Sequence, residues 1–315
     1  MRAAVLLAVS AAAYGQAPSD AICARAERVA LPLAAEDRPD AMTRASLARC
    51  DSTSLYYGFN GKPDYVKARQ CAFLEWDKGG YAPLNGPGIL MMIYANGLGV
   101  PRNLDMAQRF ACKVSGAAPA EIEGRLAHLD SLRTAAGKID ICDDITSGLM
   151  SGYCAQVQAR FRQRDREARF TALTARWPVA HRTAFGDLRL VFGQYAESHA
   201  FEEQDLSGTA RRMIVISMRE KLEDEFAAAV AGFEAGKLPR FTSAEFAAAD
   251  ARLNEVYLRV MSRKPGTRST QRIWLRYREE WVRFGALHYP RVTEDSWKTW
   301  LTLARVKIFE ELSKL

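Results

Sequence analysis

Four histidines, His128, His181, His199 and His288, are the natural acid–base groups of this chain, and none stands in a catalytic spacing. One zinc-hydrolase signature, H-E-x-x-H, sets two imidazoles one helical turn apart, and one acyl-transfer signature, G-x-S-x-G, lifts a serine on a sharp turn. Neither pattern occurs, nor does a glycine–lysine–serine phosphate loop. The acidic pairs Glu202-Glu203 and Asp224-Glu225 are sequence neighbours that point about 100° apart on a helix, so both are expected to be solvated. Six cysteines remain: Cys23, Cys50, Cys71, Cys112, Cys142 and Cys154, at spacings of 27, 21, 41, 30 and 12. No C-x-x-C is present, which argues against thiol redox and zinc chemistry, and the even count points to disulfides. Cys142 and Cys154 stand about 18 Å apart if one continuous helix carries both, beyond the ~7 Å reach of a bridge. Either each pairs elsewhere, or Gly148 and Gly152 mark a bend. No catalytic residue, metal or cofactor is expected.

The scaffold that holds these groups is long enough, at 315 residues with 48% apolar content, for two or three domains. Met1-Arg2 followed by an apolar run from Ala3 to Ala13 and the ending Ala13-Tyr14-Gly15 reads as a secretory signal peptide over 1–15, cleaved near Gly15/Gln16. That run is too short for a membrane span, and no later stretch is longer. The expected location is periplasmic or secreted, which suits the disulfides. The net charge of +7 is diffuse: 15 basic against 14 acidic residues over 16–140, and 28 against 23 over 141–315. A nucleic-acid partner usually demands a concentrated basic stripe, so none is expected.

Two internal repeats organise the chain. Leu55 to Ala72 matches Tyr94 to Ala111 at a constant offset of 39, with Gly58/Gly97, Asp64/Asn103, Ala68/Ala107 and Ala72/Ala111 in register. Each copy has the grammar of a helix, a glycine turn, an Asp or Asn cap and a second helix with small residues at a close approach, a helical-hairpin repeat. The stretch with Met92, Ile93, Tyr94, Gly97, Gly99, Val100, Asn103 and Ala107 resembles the Sel-one-like repeat, a relative of the tetratricopeptide family. The resemblance implies stacked helix pairs that bind proteins.

A second repeat relates Val215–Phe226 to Leu301–Leu312 at offset 86, with Arg219/Arg305, Lys221/Lys307 and Glu225/Glu311 identical. Upstream, Phe161, Asp165 and Leu173 match Phe246, Asp250 and Leu258 at offset 85. The expected architecture is all-α: a short helical-hairpin repeat domain (19–138), then two tandem three-helix units (141–236 and 238–315). Gly236 should end one helix, and Thr242 with Glu245 should form a capping box for the next. In the last unit, Trp274, Tyr277, Trp281, Phe284 and His288 recur at helical steps as a packing stripe, with Arg272, Arg276, Glu279 and Arg283 mainly on the other side. Leu253, Tyr257 and Met261 supply a facing stripe, and Trp297, Trp300, Leu301, Ala304, Ile308 and Leu312 complete the core. Arg278 lies inside the apolar stripe and must find an acceptor, with Asp250 or Asn254 as the expected partner.

Asp250, Leu253, Asn254 and Tyr257, followed by Gln271, Arg272, Trp274, Tyr277 and Arg278, resemble the LprI-like family of exported lysozyme inhibitors, over about 70 residues. That family often carries a cysteine where Trp281 stands. The resemblance implies an exported helical module that in some members binds and inhibits lysozyme. The expected function is therefore a non-enzymatic binding protein of the cell envelope with lysozyme as candidate partner. An envelope scaffold that recruits another protein through its helical repeats is the alternative, and a cell-wall hydrolase a third, weaker class.

Overall fold

A computed structural model of the chain describes residues 18–30, 39–79, 86–114, 116, 118–264 and 266–313; the expected signal peptide over 1–15 lies outside them. Among the described residues every regular element is an α-helix, and none is long and apolar enough to cross a membrane. Two compact units are present, Met1–Met150 and Ser151–Leu315.

The first unit contains α1 (Pro18–Ala26), α2 (Ala41–Ser46), α3 (Ser52–Tyr57), α4 (Tyr65–Lys78), α5 (Pro87–Asn96), α6 (Leu104–Ala111) and α7 (Pro119–Ser131). The pairs α3–α4 and α5–α6 share their local chemistry position by position. Gly58 and Gly97 end α3 and α5 in the left-handed region, at φ 67° and 66°. Asp64 and Asn103 then cap α4 and α6, each accepting a backbone N–H three residues on at 3.0 Å. The backbone bond from Asp64 N to Leu55 O at 3.0 Å recurs as Asn103 N to Tyr94 O at 2.9 Å. A side chain at Gly58 is excluded twice, by its positive φ and because a Cβ meets Pro63 at 2.7 Å. The four alanines in register, Ala68, Ala72, Ala107 and Ala111, are fully buried, as close helix contact requires.

Helix α5 is buried from Gly88 to Ala95, which explains its unbroken apolar sequence: it has no solvent face to make polar. Helix α7 packs on α6, and α1 packs on both. Cys23–Cys112 ties α1 to the end of α6, and Cys50–Cys71 ties the approach to α3 onto α4. Cys142 and Cys154 are also disulfide-bonded, and no free thiol is present among the described residues. Cys142 lies in a turn ahead of the next helix, which starts at Gly148, so the two cysteines do not share one continuous helix.

The second unit is built from α8 (Gly148–Thr174), α9 (Val179–Glu202), α10 (Arg211–Glu234), α11 (Ser243–Met261), α12 (Thr267–His288) and α13 (Glu294–Leu312). Glu234 ends α10, Gly236 follows at φ 85°, and the Thr242–Glu245 capping box opens α11. Residues of both expected three-helix groups contribute to one hydrophobic cluster running from Phe170 to Leu312. The middle helices α9 and α12 pack along each other, as do α11 and α13. Around residues 236–238 the core is continuous: Phe233 of α10 makes edge contacts with Trp281, Trp297 and Trp300 at 5.0–5.6 Å. Three amphipathic helices each carrying several large rings cannot cover all of them, and the second triplet supplies the missing cover.

Candidate functional site

The motif residues of the last three helices divide into an interior set and an edge set. Trp274, Tyr277 and Trp281 are interior, at 2%, 5% and 0% exposure. Trp281 stacks on Trp297 at 5.5 Å, and Tyr277 stacks on Tyr195 at 5.4 Å. Gly285, one turn after Trp281, lets α12 approach α13 so closely that a Cβ there falls 2.3 Å from the Trp297 indole nitrogen. These rings are packing groups, each at 5% exposure or less. Leu253 is buried, while Tyr257 is half-buried against Phe309 at 5.8 Å.

Arg278, Asp250 and Asn254 form the edge set. Arg278 Nη1 donates to Asp250 Oδ1 at 3.4 Å and to Thr302 Oγ1 at 3.5 Å, and its guanidinium lies 5.1 Å from the Trp274 ring centre. Its side chain is 12% exposed, so the expected acceptor is the one it uses. Asn254 is exposed and donates to Asp250 rather than accepting from Arg278. The surrounding stripes differ in part from the expected ones. On α11 the buried line is Ala249, Leu253, Val256 and Val260, with Met261 only half-buried; on α13 Ala304 is exposed, and Arg305, Val306 and Phe309 are buried. A one-residue shift in helical phase separates the two readings.

Gln271 belongs to a buried polar network that its sequence position did not announce. Arg305, fully buried, donates from Nε to Gln271 Oε1 at 3.0 Å, from Nη1 to Glu203 Oε2 at 2.8 Å and the Tyr195 hydroxyl at 3.3 Å, and from Nη2 to Glu203 Oε1 at 2.6 Å. His199 Nδ1 donates to Glu203 Oε2 at 2.5 Å, and Gln204 reaches the other ring nitrogen at 3.3 Å. The expectation that Glu202-Glu203 is a solvated pair holds for Glu202 and fails for Glu203, which is fully buried. Burial pushes the Glu203 carboxyl upward, and Arg305 with the His199 bond more than offsets this, leaving it below the usual carboxylate range. Burial also raises the Tyr195 hydroxyl, to about 12. The network joins α9, α12 and α13, and its bidentate ion pair is a rigid strut. One signal for it exists in the sequence: Arg305 lies one turn from Leu301 and from Phe309, inside an apolar stripe, as Arg278 does.

The histidines are less isolated than their spacing implies. His181 and His288 meet Nδ1 to Nδ1 at 2.7 Å, and His288 Nε2 donates to Glu234 at 3.1 Å. Glu234 also accepts from the Tyr289 hydroxyl at 2.7 Å and from Trp177 at 3.3 Å. This chain of bonds fastens the start of α9 and the end of α12 to the end of α10. Of the acidic residues beside Arg166, Glu220 is buried in a bidentate pair at 2.8 and 2.9 Å, and exposed Asp224 adds a third bond at 2.9 Å. The only metal-compatible grouping among the described residues, Cys50, Cys71 and Glu75, has both sulfurs committed to a disulfide. No family model, curated protein or solved structure matches this chain.

Proposed function

We propose that this chain is a non-catalytic binding protein of the cell envelope, exported and locked by disulfides, with lysozyme as its candidate partner. The interior placement of Trp274, Tyr277 and Trp281 is the observation that carries the reading. Residues that resemble the LprI-like motif are spent on packing and on the Arg278–Asp250 contact, as a recognition module needs for a fixed surface. Fully oxidised cysteines support an oxidising compartment. Lysis of a bacterial suspension by lysozyme, followed by turbidity with the full chain added in rising amounts, tests the partner. Slowed clearing that saturates at an equimolar ratio is expected, and unaltered clearing at large molar excess removes lysozyme from the reading.

A scaffold role for the first unit is favoured by one specific observation, the matching glycine turns and side-chain caps of α3–α4 and α5–α6 at offset 39. Helix pairs of this kind stack into surfaces that bind extended partners. Cross-linking of the full chain to its bound partner separates the readings: links confined to residues 151–315 eliminate the scaffold.

A further inference from the structure

In the second unit, the helix related by the repeat to α11 leaves uncovered a face that α11 covers. Leu301 and Thr302 of α13 are buried, at 3% and 0%, in the triplet where α11 packs along α13. Their counterparts at offset 86, Val215 and Ile216 of α10, are only half-buried, because α8 stands further from α10 than α11 does from α13. A cleft of about 520 Å³ occupies the gap. Val215, Ile216, Leu206 and the half-exposed Phe201 give it an apolar lining.

The cleft has two ends. At one, α8 approaches α10 so closely that a Cβ on Gly152 meets the Arg212 side chain at 2.9 Å. At the other, the buried Arg166–Glu220 pair bridges the same two helices. Eight residues separate Arg212 from Glu220, about 12 Å of helix. A bounded trough of this length and volume suits a small molecule, for which pockets run about 300–1,000 Å³, better than a peptide that must enter and leave.

Charge selects the kind of molecule. Four guanidiniums line the cleft, Arg160, Arg211, Arg212 and Arg219, against the carboxylates of Glu197 and Glu220. Both carboxylates are already engaged, Glu197 by Arg219 at 3.1 Å and Glu220 by Arg166 from outside the cleft. Arg212 donates from Nη2 to Gln156 Oε1, its guanidinium lies 4.6 Å from the Tyr153 ring centre, and it lines the cleft next to the exposed Arg211. We propose that this cleft binds a small amphipathic organic anion, with an apolar body of about 12 Å on Val215, Ile216 and Phe201 and its carboxylate, phosphate or sulfonate held by Arg211 and Arg212. This site is independent of the lysozyme reading and stands or falls separately.

The test uses the full chain and the fluorescent sulfonate 1-anilinonaphthalene-8-sulfonate as probe, with decanoate, decyl phosphate and decanol as competitors. One saturable site is expected, displaced by decanoate and decyl phosphate but not by decanol. The double variant Arg211→Glu/Arg212→Glu should weaken probe binding by about tenfold or more. Ile216→Trp, which fills the cleft without changing charge, should do the same while circular dichroism stays unchanged. Arg272→Glu/Arg276→Glu, the same charge change on the exposed face of α12, should leave binding intact. The proposal is overturned if no saturable binding occurs, if the two double variants bind alike, if Ile216→Trp binds as the parent does, or if decanol displaces the probe as well as decanoate. Probe binding that appears only with concentration-dependent dimers in sedimentation also overturns it, since a second copy is then the occupant.

Discussion

Replacing Arg305 with methionine isolates the energetics of the second unit's interior. Methionine keeps the aliphatic stem against Phe309, whose ring centre is 4.1 Å from the guanidinium carbon, and deletes every charged donor. Glu203, fully buried, is then left with His199 as its nearby donor. Stranding one member of a buried ion pair costs about 3–5 kcal/mol. For a unit of this size each kcal/mol moves the melting temperature by about 2–4 °C, so a fall of roughly 6–20 °C follows. Five of the six tryptophans, all but Trp76, lie in the second unit, so tryptophan fluorescence during urea or thermal unfolding reports mainly on it. Removing the stranded carboxylate as well, in Arg305→Met/Glu203→Met, should recover much of the loss, giving a coupling energy above about 2 kcal/mol. An Arg305→Met protein within about 1 kcal/mol of the parent, or strictly additive single and double variants, refutes the strut.

Three further outcomes follow from described contacts. Glu203 titrates lower in the folded protein than in the unfolded chain, so its contribution is complete above the unfolded value of 4.5 and is lost as pH falls through the folded one. Glu203→Gln should therefore flatten the acid limb of stability measured below about pH 4.5. Gly285→Ala should destabilise by about 1–3 kcal/mol in chemical unfolding, because the clash with Trp297 exceeds the ~1 kcal/mol gain in helix propensity; a stabilised variant contradicts the close approach. Cys23→Ser/Cys112→Ser opens a loop with a sequence separation of 89, worth about 4–5 kcal/mol in chain entropy, and should lower the first unit's transition in far-ultraviolet circular dichroism while the tryptophan transition stays in place.

Local grammar was the legible part of the sequence. Gly58, Asp64, Gly97, Asn103, Gly236 and the Thr242–Glu245 box each act within one turn of their own position, so type and spacing sufficed to place them. The Arg278–Asp250 contact was legible for a related reason: a charge inside an apolar stripe demands a partner, and the facing helix offered few. Glu203 escaped because its burial depends on Arg305, 102 positions away, and on helix phase, neither of which a local pattern encodes. The shared core across residues 236–238 escaped likewise, since periodicity marks which face is apolar but not which helix covers it. The cleft was illegible in principle, because Val215 and Ile216 are typical core residues until the distance of α8 is known.

Cys50–Cys71 lies wholly inside the loop closed by Cys23–Cys112. A protease that cuts once in the outer span, between 24 and 49 or between 72 and 111, therefore releases no fragment: the pieces stay covalently linked and run as one band until reductant is added. Single nicks between Cys23 and Cys112 are invisible on a non-reducing gel, and a chain cleaved there still retains every residue of its helix pairs.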